Sequence, residues 1–269
     1  MPTRDSQIRQ VILDYLRQPS GQRGTQVNIT NNLQTGLADI CRKRVPGFTD
    51  SDVDRVYEIF YELSLERIIV PGNGGDTYQW PFYRLTTHGR QVLSNPSDAT
   101  YDPDGYVTRL RQRVPAVDSV VVFYVQHAVT CFQYRLLPPA AVMLGCASEK
   151  MFLDFTDVFV SALSNQTEQD NLKKELAKAR GIKQTYDAVW KRLTPHRKQL
   201  PSNLEESLEE RLVSVLYQVR KVRNDAGHPT GYTPTAEEVH GNLILFPGYA
   251  ELLYGLIQHL TRVAEKGTF

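Results

Sequence analysis

Six residues near the C-terminus, Arg223-Asn224-Asp225-Ala226-Gly227-His228, bring together a permanent cation and an imidazole. Arginine offers a planar fork that matches phosphate oxygens, and histidine is the side chain best able to take and return a proton near neutrality. The pair suits cleavage of a phosphodiester without a metal ion. Asn224 and Asp225 could orient the imidazole or hold a ribose hydroxyl, and Gly227 would let the chain turn so that His228 leaves the helix barrel. The same Arg and His would also serve a helix end with no chemistry, favouring its dipole and capping its last carbonyls. Asp225 weakens the positive field of any phosphate pocket beside it.

The elements that must position these residues read as helices. Asp118 precedes an apolar run to Leu137, where Pro138-Pro139 stops one helix and starts another through Met143, Leu144, Met151, Phe152, Phe155, Val158 and Phe159. Thr167 with Asp170, and Asn203 with Glu206, stand at or near capping-box spacing. The helix after Asn203 is expected to bury Leu208, Leu212, Val215, Leu216, Val219 and Val222 and to end at Gly227 and Pro229. Thr235 is expected to cap a short helix, with a last one over Tyr249 to Val263. Between Asp170 and Leu200, nine basic residues stand against three acidic ones. With Tyr186 and Trp190 nearby, that run could track an RNA backbone through Lys183, Lys191, Arg192, Arg197 and Lys198 and stack a base. More often such a run is simply the solvated face of two helices whose aromatics point inward.

The N-terminal 95 residues follow a different plan. Ile8, Val11, Ile12, Tyr15 and Leu16 have helical spacing, a second helix covers Leu33 to Lys43, and Thr49 caps a third with the stripe Val53, Val56, Ile59, Phe60 and Leu63. Two strands follow, Ile68 to Val70 and Tyr78 to Leu85, joined by Pro71-Gly72-Asn73-Gly74-Gly75, before a short helix capped by Thr87. Asp50-Ser51-Asp52-Val53-Asp54 imitates the start of a calcium loop. Arg55 and Tyr61 occupy the places that need Gly and Glu, so capping explains it better. The glycines at 72, 74 and 75 lack the Gly-Lys-Ser/Thr ending of a phosphate loop. No pair of histidines has the spacing of a helical metal site, and no metal or cofactor is expected.

Composition narrows the classes. Hydrophobic residues make up 41% and charged ones 23%, with a formal net charge of +1, so no global field draws the chain to nucleic acid or membrane and any such binding is local. Cys41, Cys131 and Cys146 are odd in number and set apart, as expected of reduced thiols in a cytoplasmic protein. No apolar run approaches the roughly 20 residues that span a bilayer. The expected organisation is a first domain over 1–95, a Ser/Pro/Asp/Asn-rich linker over 96–104 and a helical domain over 105–269.

Three helices and a two-stranded wing make the first domain resemble a winged helix-turn-helix, and Tyr83-Arg84-Leu85-Thr86-Thr87-His88-Gly89-Arg90 is similar to the strand-to-helix segment that closes such wings. A DNA-reading third helix would carry basic or amide side chains to the bases. This one carries Asp50, Asp52, Asp54, Glu58, Glu62 and Glu66 against Arg55, which favours a protein-contacting role. The motif over 223–228 resembles that of the HEPN superfamily, all-α bundles identified by Arg, a polar residue and then His near the end of a core helix. Ala140-Ala141-Val142-Met143-Leu144-Gly145-Cys146-Ala147-Ser148-Glu149 looks like an earlier core helix of one bacterial branch.

The resemblance implies a mainly α protein whose helical domain forms a homodimer and cuts single-stranded RNA. In that chemistry a ribose 2′-hydroxyl attacks the adjacent phosphate, leaving a 2′,3′-cyclic phosphate and a 5′-hydroxyl. His228 would be the acid and base, Arg223 would stabilise charge on phosphate, and Asn224, Asp225 and Glu149 would position. Many such proteins are toxins or antiviral effectors. Others only bind or assemble, so a catalytically silent module remains an alternative, as does a transcriptional regulator acting through the winged helix.

Overall fold

A computed structural model of the chain describes residues 3–18, 36–72, 83–94, 102–208, 212, 214–228 and 231–265. It is mainly helical, with one two-stranded sheet among the described residues. The chain forms two compact units, one of residues 1–108 with 133–135 and the other of residues 109–132 with 136–269. Residues 96–101 of the expected linker lie outside the described residues.

In the first unit, helices α1 (Arg4–Arg17), α2 (Leu37–Arg44) and α3 (Ser51–Leu65) precede strands β1 (Ile69–Pro71) and β2 (Tyr83–Leu85) and helix α4 (Thr87–Ser94). Every residue of the stripe expected on α3, from Val53 to Leu63, is buried. It meets Ile8, Ile12 and Leu16 of α1, while Phe60 stacks edge-on against Tyr83 at 5.1 Å. The strands pair antiparallel with Ile69 opposite Leu85. The second helix starts at Leu37, with Gly36 extended before it; residues 33–35 of the helix expected there, and residues 73–82, where most of the expected turn and second strand falls, lie outside the described residues.

Two caps differ from expectation. The carboxylate of Asp52 accepts from the backbone N–H of Thr49 at 2.7 Å, so Asp52 reaches back to close the start of α3. Thr86 rather than Thr87 caps α4, accepting from Gly89 N–H at 2.7 Å. A Cβ at Gly89 would stand 2.0 Å from the Ile68 carbonyl oxygen, so only glycine fits where α4 crosses the strand entry. Arg9 and Glu66 form a two-pronged pair at 2.7 and 2.5 Å, with the Glu66 side chain 2% exposed. Cys41 is buried among these side chains, and burial pushes its thiol up to about 12.

From the linker onward come α5 (Pro103–Arg113), α6 (Ser119–Gln133), α7 (Leu137–Ala162), α8 (Gln166–Lys178), α9 (Ile182–His196), a 3-10 turn (Arg197–Gln199), α10 (Ser202–Ser207), α11 (Ser214–Gly227) and α12 (Ala236–Ala264). Pro138 and Pro139 occupy the first turn of α7, where their missing N–H groups cost nothing. This 26-residue helix is the spine of the second unit. Its buried row Leu144, Met151, Phe152, Phe155 and Phe159 packs against α12 and α11.

Asn165 caps α8, accepting from Thr167 N–H and Glu168 N–H, in place of the expected Thr167–Asp170 box. No side chain caps α10. Of the helix expected after Asn203, the described parts are α10 and α11, and residues 209–211 and 213 lie outside the described residues. Leu208, Leu212, Val219 and Val222 are buried as expected, and the side chains of Val215 and Leu216 lie outside the described residues. Thr235 and Glu238 form a full capping box, but the helix they open runs 29 residues, straight through Pro247. No break separates it from the helix expected over Tyr249 to Val263: the penalty of Pro247, about 3 kcal/mol in an isolated helix, is outweighed by burial of Phe246, Tyr249, Ala250 and Leu253 around it. No helix among the described residues is long and apolar enough to cross a membrane.

Candidate functional site

The motif occupies the last turns of α11. Its helical hydrogen bonding continues one residue past the helix, because His228 N–H donates to the Asn224 carbonyl at 3.0 Å. Gly227 therefore does not make the turn expected of it; the left-handed glycine in this connection is Gly231, at φ +77. Continuous helix also fixes directions. Residues five apart lie about 7.5 Å apart along the axis and roughly 140° apart around it. Arg223 and His228 thus look out from different faces, while Asn224, four residues before His228, shares its face.

Arg223 points at α7. Its Nη2 stands 3.5 Å from Glu149 Oε2, and its Nη1 donates to the side-chain oxygen of Asn224 at 2.9 Å. With Glu149 on one side and Asn224 on the other, the guanidinium is fixed in orientation, yet its side chain remains 34% exposed and so can reach a ligand. Gly145 makes this possible. A Cβ there would lie 2.3 Å from Arg223 Cγ and 2.6 Å from Arg223 Cβ, so the arginine stem crosses α7 in the space a missing methyl leaves. Gly145 and Glu149 are four apart and share a helix face, so one residue admits the stem and the other receives its head.

Beyond the Arg223 head opens a cavity of about 430 Å³. Arg220 and Arg223 enter it from α11, Arg180 and Lys183 from the start of α9, and Glu149 from α7. Four cations thus face one carboxylate. Gln184 pins the α9 entry by accepting the Arg180 N–H at 2.6 Å. Gly181 precedes the helix, and no side chain caps its first turn.

Of the five cations expected to contact RNA, Lys183 alone lines the cavity. Arg192 pairs with Glu175 at 2.9 Å and donates to the Ala188 carbonyl, and Arg197 pairs with Glu205 at 3.1 Å. Lys191 and Lys198 are exposed away from it. Tyr186 stacks on Trp190 and packs against Phe152, each at 5.8 Å, so these rings serve the interior; burial pushes the Tyr186 hydroxyl up to about 12. Asp225 and the exposed His228 do not line the cavity.

No family model, curated protein or solved structure matches this chain.

Arg180, Gln184 and Arg220 were not among the residues that sequence singled out. Arg220 had a usable signal, since it lies three residues before Arg223 and so on the same face. Arg180 had none beyond its place in a basic run. Among the described residues the Tyr249 hydroxyl is fully buried with no hydrogen-bond partner, and burial followed by the neighbouring Tyr186 and Glu149 holds it protonated well above the ordinary range. Among the described residues no group of three His, Cys, Asp or Glu side chains is placed to hold a metal ion.

Proposed function

We propose that this chain is a metal-independent endoribonuclease of HEPN type, acting on single-stranded RNA in the cytoplasm as a toxin or antiviral effector. The observation that carries the reading is the fixed Arg223. It is held by Glu149 and Asn224 at the mouth of a basic cavity, while an exposed His228 stands about 7.5 Å further along the same helix. In the proposed reaction His228 accepts the proton of a ribose 2′-hydroxyl, whose oxygen attacks the adjacent phosphorus and expels the 5′-oxygen, which leaves as a hydroxyl on taking a proton from His228 acting as acid. Arg223 neutralises the charge gathering on the phosphoryl oxygens. Because Arg223 and His228 look out from different faces of α11, a second copy of the helical domain would complete each site, which supports a homodimer.

The test is cleavage of end-labelled single-stranded RNA in EDTA by the wild type, His228→Ala and Arg223→Ala. The expected result is cyclic-phosphate ends from the wild type and a loss of about 100-fold or more in each variant, on the order of one catalytic group removed. Cleavage that both variants retain would sink the reading.

The divergence of the two side chains also favours a second reading, a silent module that binds through the cavity and cuts nothing. It predicts no cleavage by the wild type. For the first unit we propose a winged helix that docks a protein partner or regulator. The solvent side of α3 carries Tyr57, Tyr61 and Leu65 among carboxylates, a surface that repels nucleic acid and offers apolar area.

A further inference from the structure

The cavity beside Arg223 holds more positive charge than one scissile phosphate calls for, and its cations come from separate parts of the fold. Arg180 and Lys183 stand at the start of α9, and Arg220 lies one helical turn before Arg223 on α11. Among the described residues, no carboxylate pairs with Arg180, Lys183 or Arg220, and the sole acid in the lining, Glu149, is engaged by Arg223 at 3.5 Å. The α9 start adds N–H groups with no side-chain cap, and a Cβ at Gly181 would meet nothing within 4 Å, so the space above the helix start is open. His228 is absent from the lining. The group these cations hold is therefore not the one His228 works on.

We propose that the cavity is a subsite for a second phosphate of the RNA strand, held by Arg180, Lys183 and Arg220 at the α9 start while the scissile phosphate lies between Arg223 of one copy and His228 of the other. At about 430 Å³ the cavity has room for the sugar that leads to that phosphate. Arg220 and Arg223 sit three residues apart and rise about 4.5 Å, which lets a single strand lie along α11 from one arginine to the other. The subsite selects a polynucleotide over a dinucleotide, because a dinucleotide has no second phosphate to offer.

The inference rests on RNA being the ligand, as proposed above, and its test is separate from catalysis. Binding of a labelled single-stranded RNA octamer is measured in EDTA by anisotropy, on full-length His228→Ala protein with and without Arg180→Ala/Lys183→Ala or Arg220→Ala. Arg262→Ala, an exposed arginine outside the cavity, is the control. The cavity variants are expected to bind at least tenfold more weakly. The slope of log affinity against log salt should become shallower by about 0.7, the value for one phosphate no longer neutralised on a single strand. In the cleavage-competent background, the same substitutions should raise KM for the octamer more than they raise it for a dinucleotide.

Equal binding by the cavity variants overturns the subsite, as does an equal loss in Arg262→Ala. Cavity-dependent binding of ATP with unchanged RNA binding assigns the seat to a free nucleotide and overturns it too. Thermal melts identify any variant that fails to fold, and Arg220→Lys, which keeps the charge, then replaces Arg220→Ala and should recover part of the affinity. If the wild type leaves RNA intact, the nuclease reading fails while the binding series still decides the subsite.

Discussion

Replacing Gly145 by alanine tests whether the crossing of α7 and α11 is what aims Arg223. The added methyl would stand 2.3 Å from Arg223 Cγ and 2.6 Å from its Cβ. The Cγ can swing aside at the cost of leaving Glu149, whereas the Cβ moves only if the α11 backbone moves with it. Overpacking of this kind costs about 1–3 kcal/mol, and exchanging glycine for alanine inside a helix returns about 1 kcal/mol. The net loss is then at most about 2 kcal/mol, or a Tm lower by up to about 8 °C at roughly 2–4 °C per kcal/mol. Activity should fall further, by about 100-fold for a displacement near 1 Å.

A double-mutant cycle makes this prediction independent of any activity. Arg223→Ala removes Cγ and Cδ but leaves Cβ, so Gly145→Ala should cost less by at least ~0.5 kcal/mol in that background, read by urea unfolding. Additivity of the two substitutions within about 0.3–0.5 kcal/mol would refute the crossing as described.

Two further outcomes test the scaffold. Glu66→Ala strands the Arg9 guanidinium by removing a partner side chain that is only 2% exposed, and should destabilise the first unit by about 3–5 kcal/mol in urea, with partial recovery when Arg9 also becomes Met. At the start of α12, Thr235→Ala should cost about 1 kcal/mol. The Thr235 backbone N–H and then the Tyr232 hydroxyl hold Glu238 below the usual carboxylate range, so its contribution is complete above that range and is lost as pH falls through the lowered folded value. Acid unfolding of Glu238→Gln should lack that part of the pH dependence; an unchanged acid limb would remove Glu238 from the account.

Local rules made much of the scaffold legible. The 3.6-residue period placed the α3 stripe from Val53 to Leu63, because one helix face must be buried whatever it packs against. Pro138-Pro139 marked the start of α7 and Thr235 the start of α12, since both signals act within a single turn. Arg223 and His228 stood out because their chemistry is visible in their types, and Glu149 was named opposite the motif on resemblance alone.

What the sequence could not express is which distant segments meet. Gly145 gives no sign that it lies under an arginine 78 positions later, and nothing in the basic run separates Arg180 and Lys183, which face the cavity, from Arg192 and Arg197, which are held by carboxylates. The two helices expected after Thr235 are one, because the packing around Pro247 outweighs its local penalty. Spacing determines which residues share a helix face; only the close-packed crossing of α7, α11 and the start of α9 decides what that face meets, because contact depends on excluded volume between segments far apart in the chain.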